Sequence, residues 1–237
     1  MAMAMNAALL LSAASAQAQQ RCEARSGPQQ VQLVELYTSE GCNSCPPADR
    51  WLSGLKARPD LLAAAFHVDY WDRLGWKDRF GSAAFTERQA EQQASSGARF
   101  NYTPQVLVNG HDWRRWPGLP ATGGPAVVQI HLQRDSEQRV AVQVTPQTGA
   151  PPRLAAWWAR LEDGHVSAVK SGENAGVTLQ HDHVVRAYGR QTAWASGAQQ
   201  WVLDAPRLGE GGRPVQLLVV VTDASSGLPL QAVQIGC

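Results

Sequence analysis

The chain has 237 residues, with 21 basic and 20 acidic side chains and a formal charge of +1. That balance leaves no electrostatic footprint for nucleic acid or for an anionic membrane, and it points to small-molecule or protein partners instead. The length exceeds that of a usual single domain, so two domains are expected, each able to bury its own core.

Residues 1–20, MAMAMNAALLLSAASAQAQQ, combine a short apolar run with small residues ending in Ala16-Gln17-Ala18. This is the pattern of a secretory signal peptide, although no Lys or Arg precedes the apolar run. A periplasmic or secreted protein is therefore expected, and no later stretch is long and apolar enough to span a bilayer. An oxidising compartment permits disulfides. Of the four cysteines, Cys22 and Cys237 stand near the two ends and read as a structural bond, whereas Cys42 and Cys45 have two residues between them.

Residues 31–48, VQLVELYTSEGCNSCPPA, organise the rest of the chain. The β-rich run 31–37 predicts a strand in a sheet covered on both sides, and 38–41 turn the chain. From Cys42 onward, Ala48, Trp51, Leu52 and Leu55 fall at helical spacing. Pro46 and Pro47 lie in the first turn, where a missing backbone donor is harmless, and Arg58-Pro59 is the stop. Residues 63–70 predict a second strand and 82–94 a helix ending before Gly97. This β-α-β-α start implies parallel pairing with right-handed crossovers.

Residues 105–108 follow as a short strand. Asn109-Gly110 is a strong hairpin signal, with its partner strand expected at 111–114. Pro125, in GGPAVVQIHLQR, is expected to open one more helix carrying Val127, Val128 and Ile130. After residue 135 the helical spacing fades. β-rich runs appear at 139–144, 154–161, 166–169, 177–188, 200–203, 215–222 and 230–235, separated by turn-rich pieces such as PQTGAPP and SGENAG. The expected architecture is an α/β domain over 28–135 followed by an antiparallel β-sandwich-like domain over 136–237.

A C-x-x-C between a strand end and a helix start is a redox-site pattern, because cysteine attacks as thiolate and free helix N-terminal donors favour negative charge. Cys42 is assigned the attacking role and Cys45 the buried resolving role, which implies a thiol–disulfide oxidoreductase acting on protein or small thiols. The segment HVDYWDRLGWKDRF, 67–80, follows the second strand and reads as a lid or substrate wall carrying Asp69, Trp71 and Trp76. Two thiolates with His67 or His111 would also suit Cu(I), so a copper-binding protein is one alternative. However, no second C-x-x-C, His-rich tract or fixed-spacing histidine accompanies the pair, and no cofactor beyond the redox-active disulfide is expected. His181 and His183 would share a strand face as surface histidines. The other alternative is a binding module whose cysteines are only structural. There is no Gly-rich phosphate loop after a strand and no G-x-S-x-G elbow.

The combination of ELYTSEGCNSCPPAD, HVDYWDRLGWKDRF and YTPQVLVNG with GENAGVTLQHDHVVRAYGRQTAW resembles the DUF1223 family of exported bacterial proteins. The first half also resembles the thioredoxin-fold superfamily. The DUF1223 resemblance spans most of 31–237, and together they imply a thioredoxin-like domain with an appended region, and no known substrate. They further imply that Thr103-Pro104 opens the strand beside the cysteines with the proline in cis, offering the Thr103 backbone to an extended peptide. Glu35 corresponds to an acid on the first strand that moves the proton of Cys45, although it stands one residue further from the first cysteine than in thioredoxins. The interval from Cys45 to Pro104 is longer than in plain thioredoxins, and the excess is 71–80.

Overall fold

The structure, a computed structural model, describes residues 22–121 and 123–237, so the leader expected in 1–20 lies outside the described residues. The chain is mixed α/β, with strands dominating and two α-helices among the described residues. In order, the elements are β1 (Glu23–Arg25), β2 (Gln32–Thr38), α1 (Pro46–Gly54), β3 (Leu61–His67), α2 (Ala83–Ser96), β4 (Gln105–Val108) and β5 (His111–Asp112). Then come β6 (Val128–Arg134), β7 (Arg139–Pro146), β8 (Arg153–Glu162), β9 (His165–Ala168), β10 (Thr178–His181), β11 (Val184–Ala195), β12 (Gln199–Asp204), β13 (Val215–Asp223) and β14 (Pro229–Ile235).

Eight strands form one sheet in the order β14-β13-β8-β11-β3-β2-β4-β5. Within it β2 runs parallel to β3 and β3 parallel to β11, while the remaining pairs are antiparallel. Strands from before and after residue 135 therefore lie side by side in a single sheet, joined where Val184 pairs with Ala65. A second sheet has the order β1-β6-β7-β12, and β9 with β10 makes a separate two-stranded ribbon.

Period-two alternation sorts the large sheet's side chains between its two faces. On one face Leu33, Tyr37, Phe66, Leu107, Trp157 and Leu218 gather with Phe85 of α2. On the other, Val34, Leu36, Ala63 and Val106 meet Ala48 and Leu52 of α1. That same face further along, at Leu154, Leu217, Val219 and Val233, is covered by Val128, Ile130, Leu132, Val140 and Val142 of the four-stranded sheet.

The segment after Pro125 is strand β6, not a helix. Val128, Ile130, Leu132 and Arg134 are buried, Gln129 and Gln133 are exposed, and His131 is half-buried. Val127, Val128 and Ile130 read as helical only if Gln129 and Gln133 are ignored; the alternation of these exposed glutamines with buried residues is the strand signal. The Asn-Gly hairpin forms as expected, with Asn109 and Gly110 both at positive φ. A side chain at 110 would meet Leu228 and Pro229 at 2.9 Å, so glycine is required there for space as well as for its backbone. Among the described residues no helix is long and apolar enough to cross a membrane.

Candidate functional site

The site is built where β2 and β3 end together, at the register pair Thr38–His67. The chain leaves β2 through a tight turn in which the Cys42 amide donates to the Ser39 carbonyl at 3.2 Å, and the Cys45 amide to the Cys42 carbonyl at 3.2 Å. Two prolines then fix the first helical residues, so that Cys45 is the N-cap of α1 and Cys42 sits in the turn before it, not in the helix start itself. The two sulfurs are joined as a disulfide. Both are buried, Cys42 with 1% exposure, and only the Asn43-Ser44 tip faces solvent.

Beneath the motif lies a cluster of five buried ionisable side chains: Glu40, Asp49, His67, Asp78 and His181. Glu40 and Asp49 bracket the cysteines in sequence and both turn inward. Asp49 stands four residues after Cys45, one helical turn on and on the same face, and its Oδ2 accepts the Thr38 hydroxyl at 3.0 Å. Burial holds the Asp49 carboxyl above its usual range, against the opposing pull of His181 and His67.

His67 Nδ1 lies 2.7 Å from Asp78 Oδ2, which also accepts the Glu40 amide at 2.8 Å. Burial alone would push the His67 pKa down, but Asp78, with Asp49 and Glu40 behind it, outweighs burial and holds it above the ordinary value. Burial would likewise raise Asp78, yet His67 and the Glu40 and Phe80 amides bring it down to about 2. Glu40 accepts the Trp76 indole N–H at 2.7 Å, and His181 Nε2 lies 3.3 Å from its other oxygen. Burial opposes ionisation of Glu40, but His181, followed by Ser167 and Trp76, overcomes it and holds its carboxyl below the usual range.

Two segments close over the cysteines. From the 71–80 insertion, the Trp71 indole donates to Thr103 Oγ1 at 2.8 Å, bridging the motif side to the strand opened by Pro104. Thr103-Pro104 is a cis peptide, as is Trp116-Pro117. Gln105 pairs with Tyr37, which sets Pro104 beside the end of β2 from which the cysteine turn departs. From the far half of the chain, Asn174 donates to the carbonyls of Glu40 at 2.8 Å and Cys42 at 3.0 Å, and Glu173 accepts the Asn43 amide at 3.1 Å. Ser171 fastens the two covers together through the Gly75 carbonyl at 2.6 Å. Asp69 does not face the cysteines' partners; its carboxylate accepts the Thr86 hydroxyl at 2.6 Å and anchors the first turn of α2.

Glu35 is not beneath Cys45. It shares a strand face with Leu33 and Tyr37, opposite the face on which α1 lies, and its carboxylate is paired with the buried Arg88 of α2. Arg88 is in turn stacked among Phe66, Trp157, Tyr188 and Tyr37. The one-residue offset turns the side chain to the other face, because strand side chains alternate. His181 and His183 are both buried, not surface residues on one strand face. β10 ends at His181, and His183 sits at φ 56 in the link to β11, so the strand periodicity is broken between them. The Cys22–Cys237 disulfide forms as expected and fastens β1 to the end of the chain.

Of the groups named for Cu(I), the two sulfurs are bonded to each other, His67 is paired with Asp78, and His111 is exposed on β5. Glu162, His165 and Glu210 come together elsewhere, but Arg79 and Arg186 already pair with these groups. Sequence reasoning missed Asp49, His181, Glu173 and Asn174 as site residues. The last three all fall in the GENAGVTLQHDHVVRAYGRQTAW stretch, whose family resemblance was the available signal.

Fold and site together define a mixed α/β protein with a C-x-x-C disulfide set over a buried ionisable cluster and beneath a two-part cover. The chain belongs to the family described as "Protein of unknown function (DUF1223)", which matches residues 33–222. It is similar to a protein from Agrobacterium tumefaciens determined by X-ray crystallography, with TM-score 0.64 and 23% identity over 89% of this chain and 96% of that one. It is also similar to HBP35 of Porphyromonas gingivalis, with TM-score 0.59 and 12% identity over 88% of this chain and 76% of that one. At these identities the likeness is one of fold. No curated protein sequence matches the chain.

Proposed function

We propose that this is an exported thiol–disulfide oxidoreductase whose N-terminal part, 28–135, is thioredoxin-like and whose partners are exported protein thiols or a redox partner. The observation that carries the reading is the cluster of buried ionisable groups in and around the segment that holds the Cys42–Cys45 disulfide, with Glu40 and Asp49 on either side of it in sequence. A disulfide kept only for stability needs no titratable neighbours, and burying them is unfavourable. A disulfide that turns over in a dry site needs a local proton donor. The order β2, C-x-x-C, α1, β3, cis-proline, β4 supports the thioredoxin-like reading, and two disulfides together with the leader pattern support export.

In the proposed exchange a partner thiolate attacks Cys42 Sγ, the S–S bond breaks, and Cys45 leaves as a thiolate. Asp49, whose ionisation burial disfavours, gives its proton to Cys45. The partner's second thiolate then attacks its own sulfur in the mixed disulfide, Cys42 leaves as a thiolate that picks up a proton, and the partner departs oxidised. Trp71 and Asn174 must move aside for the attack, since Cys42 is covered at rest.

The roles are tested by trapping mixed disulfides with exported proteins in Cys42→Ser and Cys45→Ser. Adducts are expected to accumulate through Cys42 in Cys45→Ser and to be absent from Cys42→Ser. Equal trapping refutes the assignment of roles. A Cys42–Cys45 bond that resists dithiothreitol in the folded protein refutes the oxidoreductase reading in favour of structural cysteines.

A further inference from the structure

The proposed exchange uses one member of the buried cluster, Asp49, and leaves four unused. His67 and His181 meet edge to face with ring centroids 4.9 Å apart. Each is backed by its own carboxylate, Asp78 at 2.7 Å and Glu40 at 3.3 Å. Neither His67 Nε2 nor His181 Nδ1 has a hydrogen-bond partner among the described residues, although both are buried. Polar atoms buried in this way are rare unless something uses them. The two rings also come from different halves of the chain: His67 ends β3, whereas His181 ends β10, which packs against α1.

We infer that His67 and His181 form a buried proton store for the Cys42–Cys45 pair, taking up a proton when the disulfide is reduced and returning it on oxidation. The inference rests on the oxidoreductase reading. Reduction by a partner dithiol breaks the Cys42–Cys45 bond and forms a bond between the partner's sulfurs, so two electrons and two protons pass to the cysteines. Asp49 gives the first proton, to Cys45, and becomes a carboxylate facing both imidazoles. Of the two protons that the partner's thiols release, one goes to Cys42 and the other to an imidazole of the pair beside the Asp49 carboxylate; on oxidation Cys45 returns its proton to Asp49, and Cys42 and the imidazole give up theirs. Added negative charge on the sulfurs or on Asp49 draws protons onto the imidazoles, which is how the store senses the redox state.

The groups facing the two rings come from every packed element. Glu40 belongs to the cysteine turn, Asp49 to α1 and Asp78 to the insertion. Phe80 touches both imidazoles and carries Arg79 and Arg186 over its own ring at 4.5 and 4.9 Å. His181 is thus a positioning residue that makes the second half of the chain part of the redox centre.

The test is an NMR titration of the imidazole resonances in the full chain, oxidised and after dithiothreitol reduction of Cys42–Cys45, with His181→Gln for assignment. The proton affinity of at least one of the two rings is expected to rise about threefold or more on reduction, while that of exposed His111 stays put. His181→Gln keeps the His67–Asp78 pair and is expected to alter the pH dependence of the Cys42–Cys45 reduction potential. Identical titrations in both forms of a reducible protein overturn the proton store and leave the oxidoreductase reading standing. A pair that dithiothreitol does not reduce overturns both.

Discussion

Replacing Asp78 by asparagine isolates the charge of the pair that anchors the cluster. Asp78 is depressed to about 2 in the fold, against about 4 in an unfolded chain, so ionisation favours folding by close to two pKa units, or about 2.5 kcal/mol at neutral pH. Asparagine also offers one oxygen where the carboxylate uses two, accepting His67 and the Glu40 amide on one and the Phe80 amide on the other. The lost acceptor adds about 1 kcal/mol. Asp78→Asn should therefore destabilise by about 3.5 kcal/mol at pH 7, lowering the melting temperature by about 10 °C for a chain of this size. Because the folded pKa is depressed, the carboxylate's contribution is complete above the unfolded value near 4 and is lost as pH falls through about 2. Urea unfolding of the oxidised protein should show the electrostatic part of the difference falling to about half at pH 3 and nearly vanishing at pH 2. The same difference at pH 7 and pH 2 would refute the reasoning, because it would assign the effect to shape and not to charge.

Three further outcomes are expected. Glu35→Gln should lower stability without changing the rate at which dithiothreitol reduces Cys42–Cys45, whereas Arg88→Leu should cost about 3–5 kcal/mol by leaving Glu35 buried without its partner; chemical unfolding and a reduction time course separate the two effects. Thr103→Val removes the acceptor of the Trp71 indole, about 1 kcal/mol of cover, so Cys42–Cys45 should be reduced about fivefold faster, and an unchanged rate would show that Trp71 does not gate the disulfide. The double variant Cys22→Ser, Cys237→Ser opens a ring with a sequence separation of 215 residues; on the loop-entropy relation this removes about 5 kcal/mol, readable as a lower melting temperature with Cys42–Cys45 intact.

The elements that local chemistry controls were legible in the sequence. Pro46 and Pro47 mark the start of α1, Asn109-Gly110 forces its hairpin, and the β-rich runs after 135 become strands close to their expected bounds, except 177–188, which breaks after His181 into β10 and a β11 that runs on to Ala195. The stretch after Pro125 was misread because Val127, Val128 and Ile130 fit a helix and a strand equally well until Gln129 and Gln133 are weighed. The cysteine motif, the cis proline and the terminal disulfide were likewise readable, since each depends on a short pattern or on a family resemblance carried by one.

What the sequence by itself determined is the chemistry available: two adjacent cysteines after a strand, and an aromatic insertion nearby. Only the tertiary structure decided which groups attend them. Glu35, near in sequence, turns to the far face because strand side chains alternate. Asn174 and His181, distant in sequence, arrive beside Cys42 and Glu40 because the second half of the chain extends the same sheet across β11 and β3. The burial that disfavours ionisation of Asp49, and the His67 contact and backbone amides that favour it at Asp78, are properties of that assembled surface and of no segment alone.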